Sequence, residues 1–96
     1  MAQKKETTFK KRVAADLDKL PNCWYEKIQQ VALRGTPDFL CCINGKFVAL
    51  ELKKDDKSKL SKLQHYKLDA ICKAGGCAWT VIPADWDECL EALRSL

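Results

Sequence analysis

Thr36-Pro37-Asp38-Phe39-Leu40-Cys41-Cys42-Ile43-Asn44-Gly45-Lys46-Phe47-Val48-Ala49-Leu50-Glu51-Leu52-Lys53 is the stretch on which the fold turns. Asn-Gly between two apolar runs is a strong hairpin signal, because a type I′ turn needs positive φ at both central residues. With Asn44-Gly45 as the two-residue loop, Ile43 pairs with Lys46. Each step outward then fixes the register: Leu40 opposite Ala49, Phe39 opposite Leu50, Asp38 opposite Glu51. Directly paired residues hold their Cβ atoms roughly 4.5–5.5 Å apart, and like charges there destabilise a sheet. A divalent cation converts that cost into a binding site. Lys53 lies two residues beyond Glu51, so the strand's period of two puts it on the same face. The hairpin therefore predicts two carboxylates and one amine around a common point.

This constellation suits hydrolysis of a phosphodiester. Mg²⁺ prefers oxygen ligands and is commonly held by one or two carboxylates, waters and a substrate phosphate. Such an ion polarises a phosphate oxygen, acidifies a coordinated water and steadies the leaving oxygen. Lys53 positions or activates the attacking water, or neutralises charge that builds in the transition state. The rival reading makes Asp38 and Glu51 exposed strand ends, with Lys53 as a salt-bridge partner.

Outside the hairpin, Phe9, Val13, Leu17 and Leu20 recur at helical spacing between Glu6 and Leu20, and Pro21 stops that helix. Cys23 to Val31 reads as a strand, and Arg34 to Pro37 as the turn that delivers Asp38. Asp55 to Ser61 is a charged loop. Ser61 to Ala74 is a helix with Leu63, Tyr66, Ala70 and Ala74 near one face, stopped by Gly75-Gly76. Cys77 to Ile82 is a strand. Pro83 leads into a last helix with a capping-box-like start at Asp85 and Glu88. The order α-β-β-β-α-β-α predicts an α/β fold. Its sheet is mixed and four-stranded: antiparallel through the hairpin, parallel across the helical crossover, and flanked by helices.

At 96 residues the chain is expected to form one domain with a small core. Its net charge of +4 favours anionic partners weakly. No stretch is apolar enough to span a membrane and no signal-peptide pattern is visible, so a cytoplasmic location is expected. The six cysteines lack Cys-x₂-Cys spacing, and Cys41 and Cys42 are neighbours pointing to opposite faces. They read as reduced, packed thiols, with Cys72, Cys77 and Cys89 at packing positions. The three tryptophans read as core or dimer packing, with Trp24 or Tyr25 exposed. His65 reads as a surface residue. Lys54, Lys57, Lys59 and Lys62 cluster with Lys53 around the loop after the acidic pair, and Lys10, Lys11 and Arg12 lie on the first helix. A charge run is usually a solvated face, but these flank the acids and are candidates for DNA-backbone contacts. Arg34 is a candidate phosphate clamp.

Pro37-Asp38 followed by Glu51-Leu52-Lys53 resembles the signature of the PD-(D/E)xK nucleases. The longer run, with Gly35, Leu60-Ser61, Gln64 and the closing Gly75-Gly76, is similar to their VRR-NUC branch from Glu6 to about Ile82. It departs at Lys67, where that branch often has an aromatic; Tyr66 stands one place earlier. The resemblance implies a single nuclease domain with a restriction-endonuclease-like αβββαβ core and a C-terminal helix. It implies Mg²⁺, replaceable by Mn²⁺, on Asp38, Glu51 and the Leu52 backbone carbonyl. It brings Glu6 towards the metal, against the alternative of a favourable acid at a helix start. It gives Gln64 the task of orienting Lys53 or touching the scissile phosphate. The activity implied is a structure-selective endonuclease leaving 5′-phosphate and 3′-hydroxyl ends. Its substrate would be branched DNA such as a Holliday junction, cut by a homodimer during recombination or repair in a bacterial cell or phage-infected host. A flap, duplex or single-strand nuclease and a non-catalytic DNA-binding module are the alternatives.

Overall fold

The computed structural model describes residues 2–29 and 34–96, excluding the side chains of residues 2–7. The elements run α1 (Ala2–Asp18), β1 (Cys23–Lys27), β2 (Phe39–Ile43), β3 (Lys46–Leu52), α2 (Lys62–Lys73), β4 (Cys77–Val81), a 3₁₀ turn (Pro83–Asp85) and α3 (Trp86–Arg94). The strands form one mixed sheet in the order β1-β2-β3-β4. The first two pairings are antiparallel and the third is parallel. At the hairpin turn φ is +52° for Asn44 and +80° for Gly45, the pair of positive values that a type I′ loop demands. The register from Ile43↔Lys46 out to Phe39↔Leu50 is the one the turn chemistry dictates.

Period-two alternation sorts the strands onto two faces. Phe39, Cys41, Ile43, Val48 and Leu50 pack with Phe9, Val13 and Leu17 of α1 and with Trp86, Leu90 and Leu93 of α3 in one core. Two polar ties hold the helices there. The Trp86 indole N–H donates to Asp16 at 2.7 Å, and the Tyr25 hydroxyl lies 2.8 Å from an Asp18 oxygen. On the second face Ala49 is sealed, and Phe47 and Ile71 converge on Gly76 at the end of α2. The part of this face towards β1 is open. Trp24, Cys42 and Phe47 form a cross-strand row, and all three are exposed.

The structure revises several local readings. The packed face of α2 is Gln64, Lys67, Leu68 and Ile71, whereas Leu63, Tyr66, Ala70 and Ala74 are exposed. A capping box fixes the start of α2. Ser61 Oγ accepts from the Gln64 amide at 3.1 Å, and Gln64 Oε1 accepts from the Ser61 amide at 2.8 Å. Lys67 donates to Thr36 Oγ1 at 3.1 Å, while Tyr66 is 71% exposed. Gly75, with φ +100°, and Gly76 close α2 by donating to the Cys72 and Ile71 carbonyls, a Schellman arrangement. The Asp85–Glu88 capping box does not form. Pro83 starts a 3₁₀ turn instead, and Asp85 makes no side-chain cap. Strand β1 stops at Lys27, with positions 30 and 31 of the longer expectation outside the described residues. α1 begins four residues before Glu6.

All six cysteines are free thiols. Burial pushes Cys41 up to about 12 and Cys89 up to about 11, which keeps both protonated and poor as metal ligands. Cys72 is exposed on the outer side of α2, not packed as expected. Among the tryptophans, Trp86 is core, Trp79 is half-buried and Trp24 is exposed. No helix among the described residues is long and apolar enough to cross a membrane.

Candidate active site

The β2–β3 ladder ends at Phe39↔Leu50, one step before the acids. Beyond it Asp38 joins its neighbours by other means. Its carbonyl accepts from the Ile28 amide at 2.8 Å, which continues the β1 pairing. Its carboxylate Oδ2 accepts from the Leu52 amide at 2.7 Å, so a side chain takes over where the main-chain ladder stops. Glu51 remains in β3, paired in parallel with Thr80. The acids meet as the register implies, although Asp38 has left the strand. Asp38 is 6% exposed and Glu51 3%. This burial removes the reading of the two acids as exposed strand ends. Glu51 Oε1 has no hydrogen-bond partner, and it is the one buried side-chain atom of this kind among the described residues.

Leaving such an oxygen unpaired is costly, and more so beside a second carboxylate. The carboxyl of Glu51 is accordingly pushed far above its ordinary range. Burial contributes most, followed by the hydrogen bond and charge of Asp38, while Lys53 and Lys10 pull the other way. The arrangement is the like-charge case in which one of two close carboxyls resists ionisation.

Lys53 makes no ion pair among the described residues, contrary to the salt-bridge reading. Its amine donates to the Lys59 carbonyl at 3.2 Å and approaches Gln64 Oε1 at 3.5 Å, the outer limit of such a bond. Gln64 thus has two duties: its carbonyl oxygen caps α2 and faces Lys53. Gly35 sits behind this arrangement with φ +77°, and a Cβ there would lie 2.7 Å from Leu63 Cγ. That close approach docks the turn before Asp38 onto the helix that carries Gln64.

These groups line a cleft of about 430 Å³ with Lys10, Lys27 and Ser58. Lys10 was a candidate for DNA contact from the helix surface, but its amine is 3.4 Å from Asp38 Oδ1. Lys27 was missed, though its pairing with Phe39 puts it one step from Asp38. Ser58 was also missed. Asp55 Oδ1 accepts from both its amide and its hydroxyl, at 3.0 and 3.1 Å, which shapes the loop there. Lys11, Lys54, Lys57, Lys59 and Lys62 are exposed and do not line the cleft. Arg12 is engaged elsewhere, with Asp87 at 2.9 Å. Arg34 borders an adjoining depression that shares Gln64 with the cleft. The Glu6 side chain lies outside the described residues.

Asp38 Oδ1, beside the Lys10 ammonium, and the orphaned Glu51 Oε1 are the hard oxygen donors that Mg²⁺ or Mn²⁺ prefers. No cluster of three or more His, Cys, Asp or Glu occurs among the described residues, so the protein side chains fit a sparse two-carboxylate set. Mg²⁺ sites of that kind are completed by water, backbone or substrate oxygens. No protein-family model matches the chain, and no curated protein or solved structure gives a significant match.

Proposed function

We propose that the chain is a metal-dependent endonuclease that hydrolyses phosphodiesters in branched DNA, with a restriction-endonuclease-like core of the VRR-NUC type. The observation that carries this reading is the buried Asp38–Glu51 pair with an unpartnered oxygen, opening into a cleft that three lysine amines border. Buried like charges cost stability, and a fold served only by packing gains nothing from them. Asp38 and Glu51 would hold Mg²⁺ or Mn²⁺, with the Leu52 carbonyl and Glu6 as further candidate ligands. The bound ion would supply positive charge to the phosphate and leaving oxygens and acidify a water.

The chain's own groups account for the rest. Lys53 spends two of its three N–H donors on Lys59 and Gln64. These fix the ammonium and leave the third to orient the attacking water or to meet a phosphate oxygen. Lys27 adds positive charge at the rim, and Lys54, Lys57, Lys59, Lys62, Lys11 and Arg34 surround the opening as DNA-backbone contacts. Hydrolysis would leave 5′-phosphate and 3′-hydroxyl ends. A four-way junction has twofold symmetry, which a C₂ dimer matches. The uncovered Trp24–Cys42–Phe47 row supports a partner-facing surface.

The test is incubation with labelled four-way junction and matched linear duplex, with Mg²⁺ or with chelator, alongside Lys53→Ala. Symmetric cuts that need both metal and Lys53 are expected. Equal cutting of duplex would keep the chemistry and discard junction selectivity. Junction binding without cleavage under either metal would replace the enzyme by a non-catalytic DNA-binding module. Sedimentation under cleavage conditions should find a dimer; a monomer would count against paired cutting.

A further inference from the structure

We propose that Lys10 is an exchangeable counter-ion of the active site. Its ammonium holds Asp38 Oδ1 when no metal is bound and is displaced when a divalent cation takes that oxygen. The inference rests on the metal-binding reading of Asp38 and Glu51.

The two oxygens of Asp38 are not equivalent. Oδ2 is committed to the Leu52 amide at 2.7 Å, a bond that continues the sheet. Oδ1 accepts no hydrogen bond among the described residues and has the Lys10 amine 3.4 Å away. That distance is an ion pair without a tight hydrogen bond, so a harder, doubly charged ion can replace it. The Lys10 side chain is 35% exposed, against 9% for Asp38, so the amine can swing into solvent while the acid cannot. Phe9, 4% exposed, anchors this turn of α1 in the core, so the exchange needs rotation of one long side chain and no movement of the helix. The displaced ammonium stays at the edge of the cleft that Lys27 and Lys53 also line. There it can meet a phosphate oxygen. Metal binding and DNA-backbone binding would thus be coupled through one side chain, whose charge opposes the cation before displacement and favours the polyanion afterwards.

The experiment is calorimetric titration of DNA-free protein with MnCl₂, comparing wild type, Lys10→Met, Lys10→Arg and Lys46→Met. Lys46 is exposed at the closed end of the hairpin, so its variant changes net charge equally without touching Asp38. Lys10→Met keeps the aliphatic stem and should bind Mn²⁺ about tenfold more tightly than wild type. Lys46→Met should stay within about twofold of wild type, since exposed charges are screened. Lys10→Arg should bind no more tightly than wild type. Metal binding by wild type that is unchanged or weakened in Lys10→Met overturns the counter-ion role and leaves the metal site standing. Absence of binding in all four proteins overturns the metal reading and this inference with it. Circular dichroism melts check folding, and Lys10→Gln repeats the comparison if the methionine variant does not fold.

Discussion

The β2–β3 hairpin ends in two opposite ways. At its closed end Asn44 and Gly45 satisfy the turn, and the Asn44 side-chain Nδ2 donates to the Leu96 carbonyl at 3.0 Å. Nothing there is strained beyond what Asn and Gly tolerate. At its open end the ladder gives way to a side chain, and two carboxylates are buried together with one oxygen unpaired. The same two strands therefore carry a stable end and a costly end, at opposite ends of the seven-residue β3. Stability and reactivity are separated by position along one element, so substitutions at the two ends should move different observables.

The largest expected effect is on the open end. Glu51→Gln should lower metal-dependent cleavage about a thousandfold, yet raise the melting temperature of the metal-free protein at pH above about 8, where Glu51 is ionised beside Asp38. A thermal melt in chelator beside a cleavage assay checks this. A fall in both would mean that Glu51 is structural. At about 4–8 °C per kcal/mol for a domain of this size, even a modest stabilisation is measurable.

The second effect is the pH dependence of that melt. Burial and Asp38 push the Glu51 carboxyl up to about 8, so its carboxylate binds a proton more tightly folded than unfolded. The linked stability is full below the ordinary carboxylate range and is lost as pH climbs towards that value. The metal-free melting temperature should fall across this window in wild type and much less in Glu51→Gln. A flat wild-type profile would show the pair to be less coupled than its geometry implies.

Gly35→Ala comes third. It meets both a positive φ and Leu63 at 2.7 Å, so it should cost roughly 1–3 kcal/mol in denaturant unfolding. It should also weaken Mn²⁺ binding, because it shifts the turn that delivers Asp38. Gly45→Ala is the contrasting case, with φ +80° but open space around the new methyl. It should cost about 1–2 kcal/mol through backbone strain alone and leave Mn²⁺ affinity as it was. Loss of metal affinity in Gly45→Ala would erase the separation of the two ends.

How much could be read in advance follows the same division. The hairpin register was legible because turn type and a period of two leave few alternatives. That Asp38 and Glu51 meet followed from that register, whereas their burial did not, because it depends on what packs over the end of the sheet. Which face α2 presents was not legible, because Leu63-Tyr66-Ala70 and Leu68-Ile71 are both apolar stripes and the choice rests on how the helix lies against the sheet. The Ser61–Gln64 spacing marked where α2 starts, whereas the same spacing at Asp85–Glu88 misled, because Pro83 draws the chain into a 3₁₀ turn first. Lys10 lay beyond sequence reasoning, since its reach to Asp38 depends on how α1 rotates against the sheet. Lys27 did not, because extending the register from β2 to β1 would have found it.

The hydrogen bond from the Leu52 amide to Asp38 has a spectroscopic consequence. A ligand that draws on the Asp38 carboxylate must change the strength of that bond and hence the hydrogen-exchange rate and chemical shift of one backbone proton in β3. Leu52 is therefore a built-in reporter: its amide signal should answer to any occupant of the cleft, before turnover and without a label.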